Sequence, residues 1–423
     1  MKVLIIGAGI SGIMTAYFLK RAGCDVTVVD RESGAADSTS FANGGVMGCT
    51  QVDPWGQPGL PLKLLAWLGK ENAPVLVRWR QIPSVLGWGT RFLARCNARD
   101  VQQAMAANMR LTLFSMEQFS DLRTREGMTG AEYDLGRKGA YKLFFTKADL
   151  HHARESAAAL SALGAPVEVL DATTAADREA ALGPLTDRLA GVMAFPEEET
   201  GDCRKFTRWL AYKLRFEGVQ FQYETEVSGF RMEGGRIRAA TSSAGDFEAE
   251  AYLVAQASHS PLLLRRLGVK VPIIPVKGVS VTVPAAPWQG ALESAVMDHS
   301  RLFGLIRIGD RLRLSGSAEV IGYDTVPSRA RCQALIDSVL EIFPQVADCL
   351  NAAPPLMWAG LRGNSPDGVP ILGKTAISNL FLNAGHGPEG WSTACGAGNL
   401  VAAAMTDQTP AIDMAEFEQR RFH

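Results

Sequence analysis

The chain has 423 residues, which is too long for one compact core and favours two domains. Hydrophobic residues make up 47% and charged residues 21%, and the formal net charge is -1. This composition gives no indication of a nucleic acid or another polyanion as a partner, so small-molecule chemistry is favoured.

Seven cysteines are spread along the chain, without a C-x-x-C pair and without a histidine at ligand spacing. The pattern indicates neither a disulfide framework nor a metal site, and it is typical of a reducing compartment such as the cytoplasm. The apolar N-terminal stretch is interrupted by glycines, which disfavours a signal peptide. No stretch reaches the ~18 uninterrupted apolar residues that a membrane-spanning helix needs. We therefore expect a cytoplasmic protein, and a position at the cytoplasmic face of the inner membrane stays open.

The first predicted elements form a unit of about 30 residues. Residues 3–6 are a continuous apolar run, typical of a buried parallel strand. A helix with Lys20 and Arg21 in its last turn and Gly23 at its end follows. A second apolar strand, residues 26–29, ends in Asp30. The first strand and the helix are joined by the turn Gly7-Ala8-Gly9-Ile10-Ser11-Gly12. This order predicts a dinucleotide-binding unit.

Each residue of this fingerprint has a physical role. Gly7 permits the tight turn, Gly9 lets the backbone approach a pyrophosphate, and Gly12 lets the helix pack closely on the strand. The helix N-terminus, from Ile10 and Ser11 onward, offers free N–H groups to the phosphates. Asp30 is expected to accept hydrogen bonds from a ribose diol.

The fingerprint by itself does not distinguish NAD from FAD. Asp30 is followed by Arg31 and then by a polar loop at residues 38–45. Hydroxyl, amide and glycine residues suit this loop to a second phosphate and an extended ribityl chain. The residues that we assign to cofactor binding here are Arg31, Ser40, Ala42, Asn43, Gly44 and Gly45. A flexible surface loop is the alternative, and the residues alone leave both open.

Residues 55–100 contain four of the eight tryptophans, among leucines and basic residues. Such a mixture in helical segments can mark an interfacial membrane contact. The favoured interpretation is a set of core helices with basic exposed edges, because no segment shows a strongly polar opposite face. Peripheral membrane contact through residues 55–100 stays open.

Strands follow one another from residue 273 to residue 323 with few helical stretches, which suggests a separate antiparallel sheet. Earlier in the chain, Gly234-Gly235 predicts a hairpin turn. Near the C-terminus, the loop Gly385-His386-Gly387-Pro388-Glu389-Gly390-Trp391 precedes a helix of small residues, predicted at 392–405. This loop provides a second positive helix end, and indicates a cofactor longer than a mononucleotide.

The sequence resembles the D-amino-acid dehydrogenase branch of the D-amino-acid oxidase and glycine oxidase flavoprotein family. The likeness covers nearly the whole chain. It is carried by separate blocks: Gly7 to Gly12, residues 40–45, Pro54-Trp55, residues 59–63, residues 199–203, Gly360-Leu361-Arg362, Pro366-Asp367-Gly368, Gly385-His386-Gly387 and Gly390-Trp391.

The resemblance implies an α/β fold with non-covalently bound FAD. A discontinuous Rossmann-like FAD-binding domain is expected at residues 1–50, 200–270 and 356–423. A substrate domain, built on a mixed and largely antiparallel sheet, is expected at residues 51–199 and 271–355.

The resemblance also implies roles for individual residues. Arg362 would bind the substrate carboxylate, for which a planar guanidinium is better suited than lysine. A structural salt bridge is the alternative for Arg362. Val227 would offer backbone groups to the adenine. The flavin would be bordered by the loop residues Gly385, His386, Gly387, Glu389, Gly390 and Trp391, among which His386 is interpreted as structural rather than as a base.

The implied reaction is oxidative deamination of a small amino acid, and the resemblance favours a D-amino acid. Hydride would pass from Cα to flavin N5, giving a 2-oxo acid and ammonia, and the electrons would go to a quinone or oxygen. Two other functions stay open: oxidation of secondary amino acids such as hydroxyproline or sarcosine, and a flavin subunit without chemistry of its own. A nicotinamide-dependent dehydrogenase is a further rival.

Three positions depart from the family pattern and concern the substrate more than the cofactor. Gly363-Asn364 follows Arg362 where proline is common, and Ala257 stands where glycine is frequent beside the cofactor. Pro388-Glu389 replaces an uncharged pair. The carboxylate of Glu389 either selects a substrate with a second polar or positive group or points to solvent.

Overall fold

A computed structural model describes residues 1–67, 69, 75–290, 292–298 and 300–422, and every structural statement concerns these residues. Their β-strands, in chain order, are β1 (Lys2–Ile6), β2 (Asp25–Val29), β3 (Val46–Met47), β4 (Val75–Val77), β5 (Ala140–Phe144), β6 (Glu168–Leu170), β7 (Gly191–Phe195), β8 (Glu199–Thr200), β9 (Gln220–Gln222), β10 (Val227–Glu233), β11 (Arg236–Ser242), β12 (Gly245–Glu248), β13 (Ala251–Val254), β14 (Ile274–Pro284), β15 (Ala295–Asp298), β16 (Phe303–Ile308), β17 (Arg311–Val320), β18 (Leu356–Asn364), β19 (Ile371–Lys374) and β20 (Leu380–Ala384).

The α-helices of the described residues are α1 (Ile10–Arg21), α2 (Leu60–Trp67), α3 (Ile82–Arg95), α4 (Ala98–Glu126), α5 (Lys147–Ala162), α6 (Ala172–Arg178), α7 (Cys203–Phe216), α8 (Ser260–Leu264), α9 (Arg329–Ile342), α10 (Val346–Ala352) and α11 (Ala394–Met405). Several begin at a side-chain cap, as α7 does where Asp202 accepts a hydrogen bond from the Lys205 backbone N–H. Within the described ranges, no helix is long and apolar enough to cross a membrane. All seven cysteines are free.

A six-stranded sheet carries the N-terminal unit, in the order β19-β20-β13-β1-β2-β9. All pairs except β19–β20 are parallel. Alternate side chains of β1 enter different cores: Val3 and Ile5 pack with α1, whereas Leu4 and Ile6 pack with residues of the small sheet β10-β11-β12. The sheet is therefore covered on both faces, as its continuous apolar strands require.

The largest sheet has nine strands, in the order β18-β14-β17-β16-β15-β5-β7-β6, with β4 beside β17. Its pairs are antiparallel except for β15–β5 and β17–β4. The prediction of an α/β fold with a second, mixed and largely antiparallel sheet is confirmed. The hairpin predicted at Gly234-Gly235 is also confirmed, because Glu233 pairs with Arg236.

The sheets depart from the predicted domain boundaries at one strand. The six-stranded sheet draws its strands from within residues 1–50, 200–270 and 356–423. Strand β18 also lies in the last of these segments, yet it pairs with β14 over nine residues of the other sheet. The boundary expected at residue 356 therefore falls one strand too early, because this long-range antiparallel pairing leaves no local signal. The remaining division into domains stays a prediction.

Candidate functional site

The glycine turn before α1 has the geometry that its sequence predicts. Gly7 has a φ of 116°, and a Cβ there would lie 2.5 Å from the carbonyl oxygen of Ala255. A Cβ on Gly12 would lie 1.9 Å from the carbonyl oxygen of Gly7. At Gly9, by contrast, the nearest atom is Ser40 Oγ at 3.6 Å. Two glycines are thus required by the protein itself, whereas a Cβ on Gly9 would make only an ordinary van der Waals contact.

The N-terminus of α1 has no side-chain cap on its own chain segment. Ser40 Oγ accepts a hydrogen bond from the Ile10 N–H at 3.3 Å, so the polar loop meets the helix here. Ser11 is partly buried in the first turn, where its carbonyl oxygen accepts a hydrogen bond from Thr15. The arrangement leaves a helix end, with its positive dipole, beside the backbone of Gly9.

Asp30 lies at the end of β2 and is half-buried. Its carboxylate accepts hydrogen bonds from the backbone N–H groups of Ala8 at 2.5 Å and Glu32 at 2.9 Å. Burial raises the pKa of the Asp30 carboxyl group. Asp30 therefore also holds the glycine turn in place. Arg31 is exposed and pairs with Glu32 at 3.2 Å, so its role at a cofactor stays a prediction.

The loop at residues 38–45 is held by the nine-stranded sheet. Ser280 Oγ donates to the carbonyl oxygen of Ala42 at 2.9 Å, and Arg313 donates to that of Asn43 at 3.2 Å. Asn43 Oδ1 also accepts from the N–H of Gly45 at 3.2 Å. These bonds favour a shaped binding loop over a flexible surface loop.

The surroundings of two other residues assigned to the cofactor, Gly44 and Val227, give less evidence for a role in binding. At Gly44 a Cβ would lie 3.6 Å from Ser315 Oγ, so the position is not sterically restricted. Val227 is the first residue of β10 and is buried in the core that contains Leu4 and Ile6. Its backbone contact with an adenine stays a prediction.

The C-terminal glycine-rich loop connects β20 to α11. Gly385 and Gly387 have φ angles of 83° and 56°, a conformation that favours glycine. The buried ring of His386 contacts Asn383 Oδ1 at 2.7 Å through Nε2 and Thr393 Oγ1 at 2.9 Å through Nδ1. Burial lowers the pKa of His386 to about 4. With both nitrogens engaged, the geometry of His386 agrees with the structural interpretation.

The second half of the same loop contains two polar groups that lack partners. Trp391 is buried, and its Nε1 has no hydrogen-bond partner among the described residues. The same holds for Oε1 of Glu389, a side chain only 5% exposed, whose other oxygen lies 3.5 Å from Thr112 Oγ1. Gly390, between them, is half-buried. Buried polar atoms without partners are costly, and they indicate a ligand at this loop.

Arg362 lies on β18 without a carboxylate partner. Its Nη1 donates to the carbonyl oxygen of Ser317 at 3.1 Å, and no described carboxylate is within ion-pair distance. The guanidinium covers Gly278, where a Cβ would lie 2.4 Å from Nη1. Burial lowers the pKa of Arg362. The described residues thus give no support to a structural salt bridge, and leave guanidinium donors for an external anion.

A cleft lies beside Glu389. Its lining joins the C-terminal loop and Asn364 of β18 to α3, α4 and the segment after β3. Its lining includes the side chains of Gln51, Asp53, Trp55, Trp88, Phe92, Asn108, Asn364 and Glu389. The sequence did not predict this cleft.

Several charged residues near the cleft were missed from sequence. Glu198 is buried and accepts hydrogen bonds from Cys49 N–H and, at 3.1 Å, from Thr50 Oγ1. Burial raises the pKa of Glu198 to about 8. Lys142, within the buried strand β5, lies 3.6 Å from Asp53. The sequence signal that could have indicated this group of charges is a lysine, Lys142, among the apolar residues of a predicted strand.

Residues 2–404 match the family described as DAO, FAD dependent oxidoreductase. The chain belongs to this family. A D-amino acid dehydrogenase of Sinorhizobium medicae is 39% identical over 422 residues, covering 100% of both chains. One of Granulibacter bethesdensis is 40% identical over 422 residues, again covering 100% of both.

Solved structures show the same DAO-family fold. L-proline dehydrogenase from P. horikoshii superposes with a TM-score of 0.77 at 18% identity, covering 100% of this chain and 97% of that one. Glycine oxidase from Geobacillus kaustophilus gives 0.76 at 22% identity, covering 99% and 98%. At these identities the likeness concerns the fold alone.

The DAO family uses FAD, and the residues present fit it. The uncrowded backbone at Gly9 and the helix end of α1 suit a pyrophosphate. The orphaned Nε1 of Trp391 is a donor that the protein itself does not use. The expectation of an FAD-dependent oxidoreductase acting on amino acids agrees with the family and with the relatives named above.

Proposed function

We propose that this DAO-family protein catalyses the oxidative deamination of a D-amino acid to a 2-oxo acid and ammonia. The observation that carries the proposal is the partly buried guanidinium of Arg362, which has no carboxylate partner among the described residues. Support for the D-enantiomer comes from relatives named D-amino acid dehydrogenase, at 39–40% identity over the full length.

In this proposal Arg362 binds the substrate carboxylate with two parallel hydrogen bonds and so fixes the position of Cα. The hydrogen bond to the Ser317 carbonyl and the packing against Gly278 hold the guanidinium in one orientation. Bound FAD supplies the acceptor for the two electrons and the hydrogen that leave Cα. The substrate amine loses a proton, and water then releases ammonia from the imino acid. His386 takes no part as a base, because both of its nitrogens are engaged.

The proposal predicts that D-amino acids reduce the flavin of the purified protein under anaerobic conditions, whereas their L-enantiomers do not. The measurement is loss of the visible flavin absorption with D-amino acids, L-amino acids and N-alkyl amino acids. Reduction only by proline derivatives or N-methyl compounds would move the assignment to secondary amino acids. A protein that no amino acid reduces would instead be a flavin subunit without this chemistry.

We further propose that the protein delivers electrons at the cytoplasmic face of the inner membrane, through the surface formed by α3 and the residues before it. Trp79, Leu86 and Leu93 are 62%, 60% and 48% exposed there. Leu86 and Leu93 are two turns apart on one face of α3. Exposed arginines lie among these apolar side chains, at positions 78, 80 and 91. This combination suits an anionic lipid surface. Residues 68 and 70–74 of the predicted contact region lie outside the described residues.

Replacing both Leu86 and Leu93 with serine should weaken binding to phosphatidylglycerol-containing vesicles, measured by sedimentation, by about tenfold or more. The reason is that the apolar area that these side chains would bury in the lipid surface is lost. Activity with a soluble dye as acceptor should be unchanged. The matched control replaces Leu262 and Leu356, which are 42% and 52% exposed outside this region. Equal sedimentation of the two double variants would contradict the membrane contact.

A further inference from the structure

Three unpaired hydrogen-bond acceptors line the cleft beside Glu389. They are Oδ1 of Asn108, Oδ1 of Asn364 and Oε1 of Glu389, all buried and without partners among the described residues. The orientation of the Asn108 amide is fixed, because its Nδ2 donates to the carbonyl oxygens of Val52 at 3.2 Å and Gly368 at 3.1 Å. A ligand that satisfies these three atoms must present several N–H or O–H donors.

Three carboxyl groups and one ammonium group lie at or near the cleft. Besides Glu389, the carboxyl groups of Asp53 and Glu198 are close enough to raise the pKa of Glu389. The opposing charge is Lys142 of β5, 3.6 Å from Asp53. Burial is the largest cause of the shift, and the pKa of Glu389 is raised to about 8. Near neutral pH the raised pKa values keep Glu389 and Glu198 largely protonated, and a cation bound beside Glu389 would favour its ionised form.

Part of the cleft lining is aromatic. Trp88 and Phe92 of α3 are stacked, with ring centroids 4.8 Å apart. The Trp88 ring is held by a hydrogen bond from its Nε1 to the carbonyl oxygen of Asn364 at 2.9 Å. Trp55 contributes a third ring to the lining. Aromatic rings and carboxyl groups in one cleft form the kind of surface that binds organic cations.

We infer that Glu389 and Asp53 form a subsite for a cationic group at the distal end of the substrate side chain, so that the preferred substrates are basic amino acids. The inference rests on the proposed function and adds a substrate class to it. Asn108 and Asn364 accept the remaining N–H groups of the ammonium or guanidinium. The carboxylate of such a substrate goes to Arg362, on the same strand as Asn364.

The test uses pairs of substrates that differ only in the distal charge: D-arginine with D-citrulline, and D-lysine with D-norleucine. Rapid anaerobic reduction of the holoenzyme gives the dissociation constant and the limiting rate for each. We expect the cationic member of each pair to bind at least tenfold more tightly. Because both members share the carboxylate and the α-amine, their ratio reports the distal contact alone.

In Glu389→Gln the preference for the cationic substrate should fall by about tenfold to a hundredfold, the range for a hydrogen bond to a charged group. The glutamine keeps the size of the side chain, and the limiting rate with each substrate is measured beside the dissociation constant. Asp53→Asn should act in the same direction. Glu233→Gln makes the same chemical change in a side chain that is 78% exposed on β10, and serves as the control.

The pH dependence separates this role from a merely structural one. As pH rises through about 8, Glu389 ionises, so the affinity for D-arginine relative to D-citrulline should increase in the native protein. This increase should be clearly smaller in Glu389→Gln, where Glu198 still ionises in the same pH range. A merely structural Glu389 would give the same pH dependence in the native protein and in Glu389→Gln.

Failure of this inference is distinguishable from failure of the proposed function. Reduction by neutral D-amino acids with equal or tighter binding, and no effect of Glu389→Gln on the ratio, would overturn the subsite but leave the deamination standing. If no amino acid reduces the flavin, calorimetric titration with butylguanidine, which lacks a carboxylate and an α-amine, still tests the subsite. Binding that weakens in Glu389→Gln would support it, and no binding would overturn it.

Discussion

The Arg362→Lys holoenzyme is expected to lose about 30-fold to several thousandfold in kcat/KM for its amino acid while keeping its full FAD content. Disrupting a buried, hydrogen-bonded charge pair costs about 2–5 kcal/mol, and about 1.4 kcal/mol corresponds to a factor of ten. Lysine keeps the charge but presents a point instead of a planar fork, so the carboxylate is no longer held by two parallel bonds. The bond from Arg362 to the Ser317 carbonyl would also be lost.

The measurement is anaerobic flavin reduction over a range of substrate concentrations, beside flavin content and thermal stability. Arg236→Lys, at an exposed position on β11, is the control and should behave as the native protein. Unchanged kcat/KM in Arg362→Lys would contradict carboxylate binding by Arg362. A loss of folding or of flavin instead would indicate that the guanidinium is mainly structural.

Two substitutions in the glycine turn are expected to separate protein stability from FAD binding. Gly12→Ala should destabilise the apoprotein by about 3 kcal/mol and abolish flavin retention, because its Cβ would lie 1.9 Å from the backbone oxygen of Gly7. Gly9→Ala has no protein atom closer than 3.6 Å to its Cβ, so the apoprotein should keep its stability. FAD affinity should still fall, since the methyl group occupies the space expected for the pyrophosphate.

Thermal denaturation of the flavin-free proteins and the flavin absorption after purification check both expectations. Each variant serves as the control for the other, because both add one methyl group within the same turn. Equal loss of apoprotein stability in the two variants would show that the space at Gly9 is needed by the protein itself. Normal FAD binding by Gly9→Ala would contradict the expectation that the pyrophosphate lies at Gly9.

The nucleotide-binding half could be predicted in detail because its determinants are local. β1, the glycine turn, α1 and β2 are adjacent in sequence, and apolar runs, glycine positions and the terminal Asp30 specify them together. The steric need for Gly7 and Gly12 follows from strand–helix packing within these few residues. Arg362 and the loop at residues 385–391 were identified by motif resemblance. Such a resemblance indicates which positions in the chain are functional, but it does not indicate which residues surround them in the fold.

The nine-stranded sheet could be predicted only as a class. Alternation and turn residues indicated strands between residues 273 and 323, but the pairing of β14 with β18 and of β5 with β15 joins segments far apart in sequence. Hydrophobic periodicity shows which face of a strand is buried and does not show which strand lies beside it. For this reason the boundary expected at residue 356 missed β18.

By itself the sequence determined the dinucleotide unit, the membership of the chain in an FAD-binding class and the position of Arg362. Only the tertiary structure decided the surroundings of Glu389: Asp53, Glu198 and Lys142 come from three other segments and meet beside it. The sequence left open whether Glu389 points to solvent, and the structure buries it with one oxygen unpaired. The reason is physical, because the pKa of a group depends on burial and on neighbouring charges, which are set by chain topology rather than by local pattern.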